Sequence, residues 1–414
     1  MRILFVVQRY GVEVAGGAEV LCREVAERMA ARGHESVVLT SCARDYDTWE
    51  DHYPEGVAEA RGVEIVRLPV VRTRDPARFS ALSQRVADPL RRNPVVEAAW
   101  MHEQGPILRG FGGELRRRSR DVDVVVFFTY LYPTTVNGLA ELGGTVPVIV
   151  QPAAHDEWPI RLPLIRSVFD RADGLAYSTP EEQEFVDLRF RPTVPTEVIG
   201  IGFDPPVGGP PDVASFRRTY GLGDDPYVVC LGRLDPNKGS PEAIDFMAEY
   251  RRRHGGVRLV MCGADMMATA PRDGLVITGF VDDATRWAAL AGAAVLLQPS
   301  RQESFGMTLA EGWLMDRPAL VQRACEVTER LVHRSAGGLA YGGYAEFDAA
   351  LGMLLGRPDL AARLGANGHR HVLATYTWDV VLSRYEHLLE RVVTARSTAA
   401  GREVQSTDRR PTTA

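Results

Sequence analysis

The most informative part of the sequence is Pro299-Ser300-Arg301-Gln302-Glu303-Ser304-Phe305-Gly306-Met307-Thr308-Leu309-Ala310-Glu311. The apolar run 293–297 before it predicts a buried strand, and the run 307–315 predicts a helix. A strand that passes through a short turn into a helix is the repeating unit of α/β sheets. Two carboxylates, those of Glu303 and Glu311, flank this turn.

The start of the predicted helix offers hydrogen-bond donors to a ligand. Backbone N–H groups near Phe305 and Gly306 have no partner within the helix, and such a helix end attracts anions. The carboxylates of Glu303 and Glu311 accept hydrogen bonds from hydroxyl groups. The combination suits a hydroxyl-rich ligand that carries phosphates, as a nucleotide sugar does. The alternative is that both carboxylates are only solvated, as on many charged helix faces.

Size and composition indicate a multidomain globular enzyme. The 414 residues predict two or three domains, with 45% hydrophobic and 25% charged residues. A net charge of -6 argues against general nucleic-acid binding. No apolar run reaches the roughly 18 residues of a membrane-spanning helix, and the run 3–7 is too short for a signal peptide. The five cysteines form no CxxC pair, so we expect a cytoplasmic protein without a zinc site.

A single lysine, Lys238, stands among the 48 Lys+Arg residues. It lies in the turn Gly232-Arg233-Leu234-Asp235-Pro236-Asn237-Lys238-Gly239. Lysine and arginine differ most where a compact charge must meet a phosphate in a tight space. The pattern favours phosphate binding by Lys238, and the alternative is the chance survival of one lysine.

The N-terminal half predicts a first βα unit. Strands at 2–7 and 36–40 enclose a helix whose apolar residues recur at helical spacing between 18 and 29. Gly16 and Gly17 precede this helix without the GxGxxG fingerprint, so they mark either a close approach of a ligand or a plain turn. Further strands are predicted at 63–68, 122–128, 145–150 and 173–178.

His155 and Asp156 follow the strand predicted at 145–150. The carboxyl end of a parallel strand is where open α/β sheets bind ligands. A histidine at this place is either a functional acid or base or a purely structural residue.

The region 41–120 is expected to be irregular apart from its strand at 63–68. From Arg67 to Arg120 the chain holds 12 Arg against 5 Asp+Glu, a net charge of +7. Such a segment faces an anionic acceptor or an anionic membrane leaflet, or it is a solvated helical face.

The C-terminal half begins after 200–213, a stretch rich in Gly and Pro that predicts a linker. Apolar strands then alternate with helices, which predicts a parallel sheet covered on both faces. The polar residues 394–414 predict a disordered tail. Strands are predicted at 227–231, 257–262, 275–278, 293–297 and 318–322, and helices at 346–355, 358–367 and 378–393.

With these motifs in place, the sequence resembles the retaining glycosyltransferases of the GT-B fold, family 4. The resemblance covers roughly residues 1 to 393 and implies an α/β protein with two Rossmann-like domains whose parallel sheets face across a cleft. The acceptor domain would span 1–200, completed by the helix 378–393, and the donor domain would span 201–377. The resemblance is carried by Gly16-Gly17-Ala18-Glu19, His155-Asp156, Gly232-Arg233-Leu234 with Lys238-Gly239, and Glu303-x7-Glu311 with Phe305-Gly306.

The resemblance also implies roles for individual residues. Arg233 and Lys238 would hold the donor diphosphate and offset the charge that builds on the leaving oxygen. Glu303 would accept hydrogen bonds from the transferred sugar, and Glu311 would hold the ribose hydroxyls. His155 would line the sugar site near the reacting carbon. The implied catalytic residues are His155, Glu303, Arg233 and Lys238, and the implied donor-binding residues are Gly16, Gly17, Arg233, Lys238, Glu303, Ser304, Phe305, Gly306, Met307 and Glu311.

The implied activity is transfer of a sugar from a UDP- or GDP-type donor to a glycan, glycolipid or small glycoconjugate, with retention and without a metal or other cofactor. Peripheral contact with an anionic membrane is a further hypothesis, and no nucleic-acid partner is expected. Two alternatives stay open: an inactive nucleotide-sugar-binding partner subunit, and a GT-B epimerase. Ser304 and Gly312 stand where Gly and Ala are common in the family, and the family does not fix the segment 67–120, so the acceptor stays open.

Overall fold

The computed structural model describes residues 1–14, 16–206 and 209–407, with side-chain burial described as far as residue 398. The chain divides into two compact units. Unit 1 consists of Met1–Ile199 together with the chain from Leu382 onward, and unit 2 of Gly200–Val381.

Unit 1 is built on a sheet with eight strands among the described residues. Its strands are β1 (Arg2–Val6), β2 (Glu35–Ser41), β3 (Gly56–Ala60), β4 (Val63–Leu68), β5 (Val124–Phe128), β6 (Val148–Gln151), β7 (Gly174–Tyr177) and β8 (Thr196–Val198). Its helices include α1 (Gly17–Ala31), α2 (Pro76–Ala87), α3 (Pro94–Gln104), α4 (Phe111–Arg118), α5 (Pro133–Leu142), α6 (Pro163–Arg171) and α7 (Pro180–Phe190).

The strand order in unit 1 is β3-β4-β2-β1-β5-β6-β7-β8, and all neighbours are parallel except β3 and β4. The central strands are apolar on both faces because helices cover both sides of the sheet. The register places Leu4 of β1 beside Val37 and Val125, and all three side chains are buried. The predicted parallel sheet is confirmed for this unit.

Unit 2 contains a second sheet, of the strands β9 (Tyr227–Leu231), β10 (Arg258–Cys262), β11 (Leu275–Gly279), β12 (Val295–Gln298), β13 (Ala319–Gln322) and β14 (Gly338–Tyr341). Their order is β11-β10-β9-β12-β13-β14, and every neighbouring pair is parallel. The helices are α8 (Val213–Thr219), α9 (Ser240–His254), α10 (Asp283–Ala291), α11 (Met307–Leu314), α12 (Glu326–Ser335), α13 (Tyr344–Gly356) and α14 (Pro358–Thr375). The α/β class with two parallel-dominated sheets is therefore confirmed.

The prediction that 41–120 is irregular was wrong, because this region contains β3 and three helices, α2, α3 and α4. The side chains of Asp75 and Asn93 accept hydrogen bonds from the first N–H groups of α2 and α3. A proline follows each cap at the first helical position. A capping residue followed by proline is a helix-start signal, and the sequence carried it twice.

The expected disorder from residue 394 was also wrong for the residues described there. The last helix, α15 (Trp378–Thr407), continues well past 393. Arg396 forms an ion pair with Asp173 at 3.1 Å, which fixes the helix to unit 1. The hydroxyls of Ser397 and Thr398 donate to carbonyls four residues back. Residues 408–414 lie outside the described residues.

In the described part of the chain, no helix has both the length and the apolar character that crossing a membrane requires.

Candidate functional site

The turn from β9 into α9 carries Arg233 and Lys238. The Asp235 side chain accepts a hydrogen bond from the Lys238 N–H at 3.1 Å and opens a 3-10 turn over Pro236–Lys238. Gly239 follows with a φ of 72°, in the left-handed region that favours glycine. The backbone on both sides of Lys238 is therefore fixed before any ligand is considered.

The ammonium group of Lys238 contacts the Glu303 carboxylate at 2.8 Å. Gln298, at the end of β12, donates to the same carboxylate oxygen at 3.3 Å. The Glu303 side chain is 14% exposed and that of Lys238 is 40% exposed, so the pair is open to solvent on the lysine side. Because β9 and β12 are neighbours, their carboxyl ends bring together two turns that are distant in sequence.

The two turns touch through Gly239. A Cβ atom built on Gly239 would lie 2.2 Å from the carbonyl oxygen of Pro299, far inside van der Waals contact. Only glycine therefore permits this approach of the Lys238 turn to the segment 299–306.

The segment 299–306 is anchored by Phe305. Its buried ring lies 5.8 Å from Phe203 and 5.0 Å from Tyr376, measured between ring centroids. Gly306, with a φ of 84°, precedes α11 and offers no side chain to cap it. The partial positive charge of the helix start is thus not offset by a capping carboxylate or hydroxyl at this position. The flanking residues Ser304 and Met307 are exposed.

Glu311 lies one turn into α11 and is 8% exposed. Its carboxylate forms an ion pair with Arg286 of α10, which also contacts Asp283 at 3.1 Å. Burial raises the pKa of Glu311 above its ordinary value, and the Arg286 charge offsets part of this rise. Sequence reasoning missed Arg286, because a lone arginine on a helix belongs to no motif. A hydroxyl that binds Glu311 would share the carboxylate with this guanidinium.

Arg233 differs from Lys238 in being loosely held. Its side chain is 64% exposed, and its guanidinium lies 3.6 Å from the Asp235 carboxylate. Unit 2 therefore carries Arg233, Lys238, Glu303, Glu311 and the start of α11, of which Lys238 and Glu303 are in direct contact.

His155, in unit 1, lies on an exposed loop after β6. Its Nδ1 lies 3.3 Å from the Ala153 carbonyl oxygen, and its Nε2 lies 3.7 Å from the Glu157 carboxylate. The neighbouring Asp156 instead forms an ion pair with Arg161 at 2.6 Å. His155 and Asp156, although adjacent in the sequence, therefore contact different residues.

The loop that carries His155 is held by Glu182 of α7. The buried Glu182 carboxylate accepts hydrogen bonds from the N–H groups of Ala154, at 2.6 Å, and Ser178, at 2.7 Å. Ala153 has a φ of 53°, a conformation uncommon outside glycine. One carboxylate therefore joins the chain after β6 to the chain after β7 and fixes the backbone next to His155. Nothing in the sequence pattern singled out Glu182.

Burial raises the pKa of Glu182 to about 7 from an ordinary value of 4.5, despite its backbone hydrogen bonds. Between these values the unfolded chain loses the proton and the folded chain keeps it, so stability falls as pH rises and levels off above pH 7. Glu182→Gln has no carboxyl group at this position and therefore lacks this pH dependence of stability. We expect the free energy of unfolding of wild type minus that of Glu182→Gln to fall by about 2–3 kcal/mol from pH 5 to pH 8.

Urea denaturation at the two pH values measures this difference. Glu184→Gln changes an exposed carboxylate of the same helix and is the matched control. The raised pKa would be wrongly assigned to Glu182 if the wild-type minus Glu184→Gln difference in the free energy of unfolding falls with pH in the same way. It would also be wrong if the difference for Glu182→Gln does not change with pH.

Gly16 and Gly17 lie at the start of α1 in unit 1. A Cβ atom on Gly16 would lie 2.2 Å from a Glu19 carboxylate oxygen. Glu19 in turn accepts a hydrogen bond from the Arg9 Nε at 2.8 Å, and both side chains are buried. A side chain at position 16 would therefore displace a buried ion pair, a constraint that the sequence did not show.

Two family models match this chain. The model described as "Glycosyl transferases group 1" matches residues 225–356. The model described as "Glycosyl transferase 4-like domain" matches residues 16–202. The chain belongs to the group 1 glycosyl transferases. As a member of this family it is a glycosyltransferase of the GT-B type.

Curated relatives of this glycosyltransferase include two bacterial enzymes. One is the GDP-mannose-dependent alpha-(1-6)-phosphatidylinositol monomannoside mannosyltransferase of Mycobacterium tuberculosis, 27% identical over 60% of this chain and 71% of its own length. Another is the D-inositol 3-phosphate glycosyltransferase of Acidothermus cellulolyticus, 27% identical over 95% of this chain and 89% of its own length.

Solved structures support the same fold. Sucrose-phosphate synthase from Thermosynechococcus elongatus superposes with a TM-score of 0.68 at 17% identity, covering 95% of this chain and 99% of that one. The Anabaena protein HepE in complex with UDP-glucose superposes with a TM-score of 0.64 at 16% identity, covering 95% of this chain and 100% of that one. At these identities the likeness concerns the fold.

Proposed function

We propose that this glycosyltransferase moves a sugar from a nucleotide-diphosphate donor to a glycan, glycolipid or small glycoconjugate and retains the anomeric configuration. The observation that carries the proposal is the contact between Lys238 and Glu303 beside the start of α11. A cation, a carboxylate that accepts from hydroxyls and an anion-attracting helix end lie side by side in unit 2. A nucleotide sugar presents phosphates and hydroxyls to such a set.

The comparisons favour UDP or GDP as the nucleotide. The name of the mycobacterial relative specifies GDP-mannose, and HepE was solved with UDP-glucose. Glu311, paired with Arg286, is the carboxylate proposed to accept from the ribose hydroxyls.

In the proposed reaction the bond between the anomeric carbon and the donor phosphate oxygen breaks. Negative charge builds on the departing diphosphate, where Lys238 and Arg233 offset it as preorganised cations. The acceptor oxygen bonds to the anomeric carbon on the face that the phosphate leaves, which retains the configuration, and the acceptor proton passes to the departing phosphate. The proposed reaction uses no metal or other cofactor.

A panel of UDP-, GDP-, ADP- and dTDP-sugars tests the donor site in the presence of EDTA. We expect one donor to raise the melting temperature of the wild type, and Lys238→Ala and Glu311→Ala to lose this effect. Arg272→Ala removes an exposed cation that pairs with Asp245 and is the matched control. Stabilisation that survives in both site variants, or that requires a metal, would contradict the proposal. Binding without nucleotide release would favour the inactive partner subunit.

Retention is tested by the sugar that donor hydrolysis releases. We expect the first anomer seen by proton NMR to have the configuration of the donor, before mutarotation mixes the two forms. Release of the opposite anomer would contradict a retaining mechanism.

We also propose that the turn between α2 and α3 contacts an anionic membrane. Leu90, in the turn, is 96% exposed, and Val95, in the first turn of α3, is 79% exposed. The exposed Arg91 lies next to Leu90 and forms an ion pair with Asp88 at 3.2 Å. The segment 67–120 presents less free positive charge than its composition suggests, because many of its arginines form ion pairs with carboxylates. Such pairs include Arg72–Glu103, Arg78–Glu103, Arg116–Glu141, Arg117–Glu114 and Arg118–Glu64.

Leu90→Asp is expected to weaken sedimentation with vesicles of phosphatidylcholine and phosphatidylglycerol at least about tenfold, because an inserted leucine contributes roughly 1.5–3 kcal/mol. Leu188→Asp changes a leucine that is 75% exposed on α7 and serves as the control. Salt-insensitive or absent binding of the wild type would rule the contact out.

A further inference from the structure

Unit 1 has a topological switch point between β1 and β5. β1 pairs with β2 on one side and with β5 on the other, and the chain leaves β1 towards β2. Ligands of open α/β sheets bind outside the carboxyl ends of the strands at such a point. Gln8 and Arg9 follow β1 there, and Thr129 and Tyr132 follow β5.

Polar groups buried at this edge lack hydrogen-bond partners. Gln8 is 1% exposed and Thr129 is 8% exposed. The side-chain oxygens of both have no partner among the described residues. The β1–β5 register sets Val6 beside Phe127, and Gln8 and Thr129 each lie two residues beyond this pair, at the carboxyl ends of the two strands. Buried polar atoms are nearly always paired in folded proteins, so hydroxyls of a ligand are the expected partners here.

Two guanidinium groups flank the same edge. Arg9 is 6% exposed and Arg74 is 7% exposed. The Arg9 guanidinium lies 5.6 Å from the ring centroid of Tyr46 and 5.9 Å from that of Trp49. The Arg74 guanidinium lies 5.9 Å and 5.1 Å from the same two rings. The two cations therefore share one pair of aromatic rings.

Within the described part of the chain, only one of these cations has a carboxylate partner. Arg9 is paired with Glu19 at 2.5 Å. Among the described residues no carboxylate forms an ion pair with Arg74, whose guanidinium donates to the Gln104 main-chain and side-chain oxygens and whose Nε has no partner. A buried charge without a counter-ion is costly, and an anionic ligand would supply the missing charge.

Among the described residues, the carboxylates near Arg74 act on its charge only through space. Glu103 accepts from Arg72 and forms an ion pair with Arg78. Asp47, on the loop before Trp49, acts on Arg74 only through space. The phenol of Tyr132 lies within the electrostatic reach of both Arg9 and Arg74 and adds a hydroxyl to the group.

We propose that this crevice of unit 1 binds the acceptor, and that the acceptor is a hydroxyl-rich molecule with an anionic group, either a phosphate or a carboxylate. Arg74 and Tyr132 would hold the anion, and Gln8 and Thr129 would hold hydroxyls. A Cβ atom on Gly16 would lie 3.0 Å from the Arg9 Nη2, so the glycine turn adjoins the same site. The role as acceptor site rests on the proposed transferase function, whereas the anion site stands on unit 1 alone.

Inorganic phosphate is the probe, measured by isothermal titration calorimetry against sodium chloride of equal ionic strength. The background is Lys238→Ala, so that phosphate bound beside Lys238 in unit 2 does not contribute. We expect Arg74→Gln to raise the phosphate Kd at least about tenfold, since a hydrogen bond to a charged group is lost. Arg85→Gln removes the same charge from an exposed position on α2 and is expected to leave the Kd unchanged.

If Arg74→Gln does not fold, Arg74→Lys takes its place. This variant keeps the positive charge but loses the planar guanidinium, and we expect it to raise the phosphate Kd severalfold. The proposal is overturned if phosphate gives no more heat than chloride, or if the Arg74 variants bind it as the background does. Because no nucleotide is used, the result is independent of the donor panel.

A sedimentation experiment with vesicles identifies the source of the anion. Vesicles of phosphatidylcholine with phosphatidic acid are sedimented with the protein, with and without inorganic phosphate. A lipid headgroup is supported if phosphate releases the wild-type protein from the vesicles and has no such effect on Arg74→Gln. Phosphate binding that vesicles do not compete for would support a water-soluble acceptor.

Discussion

Lys238→Ala is expected to lower kcat/KM for the donor about 10²–10³-fold, the scale of losing one preorganised electrostatic group at an oxyanion. The ammonium group sits on a turn fixed by Asp235 and Gly239 and already faces Glu303 at 2.8 Å. A leaving diphosphate in the proposed reaction develops its charge where this cation lies. Lys238→Arg is expected to recover only part of the loss, because a guanidinium spreads its charge over a planar fork and does not present it at one compact point.

Release of nucleoside diphosphate from the donor selected by the panel measures this effect. Arg301→Ala removes an exposed arginine that pairs with Glu242 of α9 and serves as the matched cation control. A loss that Arg301→Ala equals, or a Lys238→Ala enzyme with unchanged kcat/KM, would exclude Lys238 from the donor site.

Gly239→Ala is expected to destabilise the protein by about 2–5 kcal/mol, the largest stability effect we predict. Two costs combine at this position. The φ of 72° is strained for alanine, and the new methyl group would lie 2.2 Å from the Pro299 carbonyl oxygen. Relief of the clash must separate the two turns, so the Lys238–Glu303 contact and donor binding should be lost together with stability.

Gly256→Ala separates the two costs. Gly256 has a φ of 61° and no atom within 4 Å of its built Cβ, so alanine there brings only the backbone strain of roughly 1–2 kcal/mol. Chemical denaturation of both variants gives the comparison. If Gly239→Ala is no less stable than Gly256→Ala, the close approach of the two turns is not what the structure describes.

The strand-turn-helix units were predictable because each depends on local signals. The apolar run 293–297 and the helix from Met307 appear as β12 and α11 within one or two residues. The turns with Lys238 and Glu303 were predictable as turns, and the parallel sheet then places them at the same edge. The helix starts at Asp75 and Asn93 were also present as local signals, although an irregular region was expected there.

Partner choice could not be predicted from the sequence. Arg286 and Glu311 lie 25 positions apart, and Glu182 reaches Ala154 across 28 positions. Such contacts depend on which helices the sheet order makes neighbours, and the local patterns of a single sequence do not reveal that order. Arg74, which has no ion-pair partner among the described residues, was likewise hidden within a basic segment, because composition counts charges and does not show which ones are buried.

The proposed donor site is tested by a crystal structure with UDP or GDP bound, as chosen by the donor panel. We expect the diphosphate to contact the Lys238 ammonium group and the first N–H groups of α11, and the ribose hydroxyls to contact Glu311. A nucleotide bound elsewhere on the chain, with Lys238 and Glu303 contacting no part of it, would show that the donor site is wrongly placed.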